Sequence, residues 1–266
     1  MFKKCFITVT FMMLLFAGLS FAQIDKIAIF NEAQSWTDAA TATAATDYIM
    51  ANVKVANEIK VYNDADIGTF AQNNTNDGNV DIIITFGYFP VSLYTPGNAQ
   101  ADGSLAENFI YGGDMILNTA DYIFYVTEGG GTNGDTGLKN ITNSALDMWT
   151  DGNNAPTADG MKYAPSMPAS YAAARSFKIS QIDAEADWEL EAAFGSNGAD
   201  YVDPAIIHNK TNGGRVGIVF QNGDAMPRGE VMTEILNNFL ASQIGGSTAV
   251  KANDKLPLTW GKIKAD

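Results

Sequence analysis

Residues 80–89 read VDIIITFGYF, and successive positions within the run are apolar. Successive side chains of a strand point to opposite faces, so such a strand must be covered on both. A central place in a parallel sheet, between two layers of helix, satisfies that requirement. Two more strands precede it, KIAIF at 26–30 and EIKVYN at 58–63. Between them Ala39, Ala40, Ala44, Tyr48 and Ile49 recur at helical spacing, which predicts a helix over 38–53 capped by Ser35 or Thr37. A shorter helix is expected over 67–72, before the turn cluster NNTNDGN.

Beyond the central strand the same alternation continues. Ser104 and Glu107 have capping-box spacing and start a helix. The run DYIFYV at 121–126 predicts a fourth strand, central beside residues 80–86, and 138–149 a helix. Residues 150–175, rich in Gly, Pro, Ala and Asn, read as irregular, and 187–195 reads as either a strand or a short helix. Residues 204–221 form a hairpin about Thr-Asn-Gly-Gly. A closing helix over 230–242 carries Val231, Ile235, Leu236, Phe239 and Leu240 on one face. The expected fold is a three-layer, flavodoxin-like α/β domain. Its sheet is mostly parallel, with helices on both faces and a late antiparallel hairpin.

The two ends differ from this body. Lys3 and Lys4, the apolar stretch 11–19 and Ser20-Phe21-Ala22 have the order of a signal peptide, cleaved after Ala22. The protein is therefore expected to be exported, to the periplasm or outside the cell. The single cysteine, Cys5, falls within the removed segment, so the mature chain has neither disulfide nor thiolate. No later stretch is long and apolar enough to span a membrane. Residues 23–244 are read as one domain, and 245–266 as a linker and tail. The tail holds Lys251, Lys255, Lys262 and Lys264 beside Leu256, Leu258, Trp260 and Ile263, a candidate handle for a protein partner.

The net charge of −14 becomes −16 once the two leader lysines are gone. An acidic surface of this kind disfavours nucleic acid, whose phosphates need clustered Lys and Arg.

The order of parts resembles the class I glutamine-amidotransferase-like superfamily and, within it, the ThuA-like proteins. The segments carrying the likeness are KIAIF, VDIIITFGYF, PAIIHNKTNGGRVGIVFQNGD and EVMTEILNNFLAS, over roughly residues 24–243. The resemblance implies a flavodoxin-like sheet with its site at the carboxyl ends of the strands, as is general for open α/β sheets. It also implies a weak link to carbohydrate metabolism. The amidotransferases need a cysteine at the elbow after a central strand, served by a histidine and an acid. The matching positions here are Thr127-Glu128-Gly129-Gly130, so thiolate chemistry is excluded.

The loop EGGGTNGDTG at 128–137 has no Gly-Lys-Ser/Thr and no dinucleotide spacing. Glu128 and Asp135 would repel an anion from the amides of Gly129 and Gly130, which favours a neutral polyol or sugar. Glu128 is the candidate catalytic acid or hydroxyl acceptor. Glu32 and Asp64, after the first two strands, are candidate partners on the same rim, and paired carboxylates are what glycoside hydrolysis uses. Trp36 and Tyr88 are candidate sugar platforms. No cofactor is expected. The lone His208 lacks companions for a zinc site. Asp64-Ala-Asp66-Ile-Gly68 and Asp77-Gly-Asn79-Val-Asp81 have the alternating spacing of a Ca²⁺ loop. Both lack its sixth-position glycine and twelfth-position glutamate, and turn chemistry accounts for them. The leading function is binding of a small polar ligand, carbohydrate first. The alternatives are a carboxylate hydrolase and an interaction module acting through the tail.

Overall fold

The computed structural model describes residues 24–149 and 152–244. The expected leader and tail lie outside them. Seven strands form the main sheet: β1 Ile24–Phe30, β2 Ala56–Val61, β3 Val80–Phe86, β4 Met115–Thr119, β5 Trp188–Ala193, β6 Ala205–Asn209 and β7 Arg215–Val219. Their spatial order is β5-β6-β7-β4-β3-β1-β2. The five from β7 to β2 run parallel, while β6 and β5 extend the β7 edge antiparallel. This is the expected mostly parallel α/β sheet with a late hairpin.

Alternation along each strand divides the core into two layers. Ala28, Phe30, Ile83, Ile116, Val216 and Ile218 face one way. There they meet helices α2 Asp64–Asn74, α3 Leu105–Tyr111 and α4 Thr136–Thr142. Ile27, Ile29, Ile82, Ile84, Met115 and Leu117 face the other. Helices α1 Ala39–Asn52 and α6 Arg228–Glu234 cover them, with α6 continuing as a π-helical turn over Ile235–Leu240. Gly229 lets these two helices touch: a Cβ there would lie 2.9 Å from the Ala45 Cα.

The helix starts follow local chemistry. Asp38 caps α1 by accepting from the Thr41 amide at 2.7 Å, in place of Ser35 or Thr37. Ser104 caps α3 as expected, accepting from the Glu107 amide at 3.1 Å.

The fourth parallel strand is Met115–Thr119, not residues 122–126. Gly113, at φ 102, ends α3 and turns the chain into β4 earlier than the apolar pattern suggested. Tyr122, Ile123 and Phe124 are fully buried, but as a turn beneath the sheet edge. Phe124 has φ 63, which no strand accommodates. Their apolar character reports burial rather than strand pairing. The helix expected over 138–149 is limited to α4, which the left-handed Asn143 terminates. The stretch 150–175 is not irregular throughout. It contributes Gly152–Pro156, helix α5 Ala158–Tyr163 and Tyr171–Ala173. These join a second, six-stranded antiparallel sheet with Met148–Trp149, Ser176–Lys178, Gly195–Ser196 and Tyr201–Val202. This sheet abuts the carboxyl end of β7, where the rings of Tyr171 and Phe220 meet edge to face at 5.0 Å.

Candidate functional site

The chain leaves β1 toward β2 on one side, and then crosses to β3 on the other. In open α/β sheets the crevice at such a reversal is where ligands bind. Three loops meet there: residues 31–36 after β1, 62–64 after β2 and 87–92 after β3.

Three of the acids singled out in the sequence converge on this rim. Glu32 Oε2 accepts from the Asp64 amide at 2.9 Å. Asp64 Oδ1 accepts from the Ser92 amide at 2.9 Å, which ties α2 to the loop after β3. Glu128 arrives from a different part of the chain. Its amide donates to the Phe89 carbonyl at 2.8 Å, and the Phe89 amide donates to Val126 at 2.9 Å. Its carboxylate has no hydrogen bond or ion pair among the described residues. Burial, with Asp64 and Glu32 as nearby negative charges, raises its pKa above the usual glutamate value.

The glycine loop is a hairpin with a polar plug, not an anion cradle. Val126–Thr127 pairs with Gly131–Thr132, and Gly129 makes the turn at φ 80. Asn133 fills the space beneath, donating to the Phe124 carbonyl and to Thr127 Oγ1, each at 3.0 Å. It also accepts from the Gly97 amide at 2.8 Å. Asp135 points to other company: Lys139 Nζ is 2.9 Å away and holds its carboxyl below the usual range. His208 stands on the antiparallel extension, 3.1 Å from Glu189.

The rest of the rim was not evident from the sequence. Ser35 donates to Asp121 Oδ2 at 2.5 Å, and its amide donates to the Phe86 carbonyl at 3.0 Å. Asp121 is buried, and that burial raises its pKa. Asn118 joins the ends of β3, β4 and β7, accepting from Thr85 at 2.7 Å and donating to Gln221 at 3.2 Å. Trp36 is 43% exposed, and the Arg175 guanidinium sits 5.4 Å from its ring centre. Tyr88 is half-buried on the loop after β3.

Backbone strain gathers on the same edge. Among the described residues, Trp36 (φ 59), Ala120 (φ 81), Phe124 (φ 63) and Phe220 (φ 51) are left-handed without being Gly or Asn. Trp36 follows β1, Ala120 and Phe124 follow β4, and Phe220 follows β7. Such strain, of order 1–3 kcal/mol per residue, persists where surrounding contacts impose it, and it clusters at functional sites. Periodicity reports burial, not φ, so only the composition of the loops could have hinted at it.

No protein-family model matches the chain, and no curated protein matches it in sequence. Among solved structures, the chain is similar to a protein from Bacteroides uniformis ATCC 8492 provisionally described as ThuA-like, with TM-score 0.45 and 12% identity. The match covers 84% of this chain and 91% of that one. At that distance the likeness carries no ligand or chemistry across. The functional reading rests on this chain's own residues.

Proposed function

We propose that this is an exported ThuA-like, amidotransferase-like domain without thiol catalysis, which binds a small polar ligand at the carboxyl edge of its sheet. Carbohydrate is the leading class. The observation that carries this reading is the meeting of Glu32, Asp64 and Glu128 at the β1/β3 reversal, with the Glu128 carboxylate unengaged. An ionised carboxylate is acceptor-only, so it suits hydroxyl donors and repels anions. Trp36, exposed on the same loop as Glu32, supplies the flat apolar face that sugar rings use.

The raised pKa of Glu128 favours a second reading, a hydrolase in which Glu128 acts as acid and Glu32 or Asp64 as base or nucleophile. Screening neutral glycans and polyols against purified protein tests both readings. Glu128→Gln should weaken binding at least tenfold while leaving unfolding within about 0.5 kcal/mol, the range for surface changes away from special features. Release of reducing sugar by the wild type, abolished in the variant, would select the hydrolase. A large stability loss without any effect on ligand would make Glu128 structural and end both readings.

A further inference from the structure

The opposite, amino edge of the sheet carries a second acidic group, and turn chemistry does not account for all of it. Asp25 is the second residue of β1, Asp77 lies in the turn before β3, and Asp81 is the second residue of β3. One carboxylate oxygen from each lies within 4.8 Å of the other two. Asp77 and Asp81 are the outer members of the Asp-Gly-Asn-Val-Asp segment. The parallel pairing of β1 with β3 brings Asp25 to them.

Asp77 has an ordinary turn role, accepting from the Asn79 amide at 2.8 Å. Asp81 does not. It is 0% exposed. Its Oδ1 accepts from the Lys26 amide at 2.8 Å, and its Oδ2 has no hydrogen-bond partner. A buried carboxylate oxygen without a partner is costly unless a cation or proton answers it. The Lys26 ammonium does not bond this oxygen: its Nζ lies 2.8 Å from Asp25 Oδ2, within the cluster, and 2.7 Å from Asn74 Oδ1, while Asn57 donates to Asp25 Oδ1 at 2.8 Å.

We propose that Asp25, Asp77 and Asp81 form a divalent-cation site, selective for Ca²⁺ over Mg²⁺, that fastens the turn before β3 to the start of β1. Hard carboxylate oxygens are the donors Ca²⁺ takes. Three oxygens within 4.8 Å of one another can share a centre no more than about 2.8 Å from each. That is within easy reach of the Ca²⁺–O distance of about 2.3–2.6 Å, whereas Mg²⁺ demands near-octahedral geometry and holds its water, so it usually takes one or two carboxylates rather than three. Water on the exposed Asp77 side completes the shell, and Lys26 keeps Asn74 as its partner when the ion binds.

The test is Ca²⁺ added to the chelator-treated full chain, followed by titration calorimetry and thermal unfolding. One ion should bind with Kd about 10⁻⁴–10⁻³ M, in the range of extracellular Ca²⁺ modules. At 10 mM it should raise Tm by about 3–10 °C, and Mg²⁺ should do much less. Asp77→Asn and Asp25→Asn should each weaken binding at least tenfold, whereas Glu128→Gln should leave it unchanged. Asp77 is exposed, so its variant keeps the test decisive should Asp25→Asn fail to fold. The site does not exist if the wild type shows no saturable binding up to 10 mM, or if both variants bind as it does. Loss on Glu128→Gln alone would move the ion to the opposite edge and overturn the proposal, without touching the ligand reading there.

Discussion

The two edges of the sheet are both acidic, but they are built differently. At the amino edge, apart from the exposed Asp77 in its turn, the acids are held in or beside strand starts. Asp81 and Asp114 flank strand starts, the Asp81 amide donates to Asp114 Oδ1 at 2.9 Å, and both side chains are buried. The left-handed residues nearby are Asn76, Gly78 and Gly113, which adopt that conformation readily. At the carboxyl edge Glu32, Asp64 and Glu128 are partly or fully exposed, with Asp121 buried behind them, while the strained residues are Trp, Ala and Phe. One edge keeps buried charge on a relaxed backbone; the other keeps accessible charge on a strained one. The first arrangement touches stability, the second leaves groups free for a ligand.

The largest effect should come from Arg228, which holds the strained edge together. It is buried, and burial pulls its pKa down to about 10. It donates to Thr119 Oγ1 at 3.0 Å and to the carbonyls of Phe220, Asn222 and Asp224 at 2.6, 2.7 and 3.0 Å. Arg228→Met would remove these donors, leaving the Phe220 carbonyl its Ala120 and Asn222 amides but the Asn222 and Asp224 carbonyls bare, and should cost roughly 3–5 kcal/mol by denaturant unfolding. A loss below about 1 kcal/mol would show that other contacts impose the left-handed Phe220.

Next comes the pH response of the amino edge, measured in chelator so that no cation intervenes. Burial pushes Asp114 up to about 8 and Asp81 up to about 6, from 3.8. In the unfolded chain both ionise near 3.8, so their contribution is complete below that pH and is lost as pH rises toward 8. Ionising these two buried carboxyls should therefore remove several kcal/mol between pH 4 and 8. Asp114→Asn keeps an acceptor for the Asp81 amide and should flatten that slope, raising Tm at pH 8 but not at pH 4. An unchanged slope would locate the pH response elsewhere.

The smallest effect should be Trp36→Gly. Glycine accepts φ 59 without the penalty a side chain incurs, roughly 1–2 kcal/mol, although its greater unfolded freedom offsets part of the gain. Stability should stay level or rise by up to about 1 kcal/mol, while affinity for the ligand falls. A clear destabilisation would mean that Trp36 holds the rim together through its contact with Arg175, rather than serving as an open platform.

The site was legible in part. Glu32 and Asp64 follow strands that the alternating pattern identified, and a parallel sheet must bring such ends to one edge. Glu128 was singled out as following a strand over 121–126, whereas that run is a buried turn. It reaches the rim because Phe89 and Val126–Thr127 pair there. Asp121, Arg175 and Arg228 left no signal, because nothing local distinguishes a buried polar side chain from a surface one. The second sheet escaped for a related reason. Its strands are mostly two or three residues long, too short for a period of two to register.

The sequence by itself determined the layering. Unbroken apolar runs in β1 and β3, and apolar positions at helical period in α1 and the closing helix, leave only a doubly covered sheet as a way to bury them. Only the tertiary structure decided which acids meet. Asp25 is more than fifty residues from Asp77 and Asp81, and Glu128 more than sixty from Asp64. Contacts of that range are set by strand order and register, because hydrophobic patterning fixes which face a side chain takes but not which strand lies beside it.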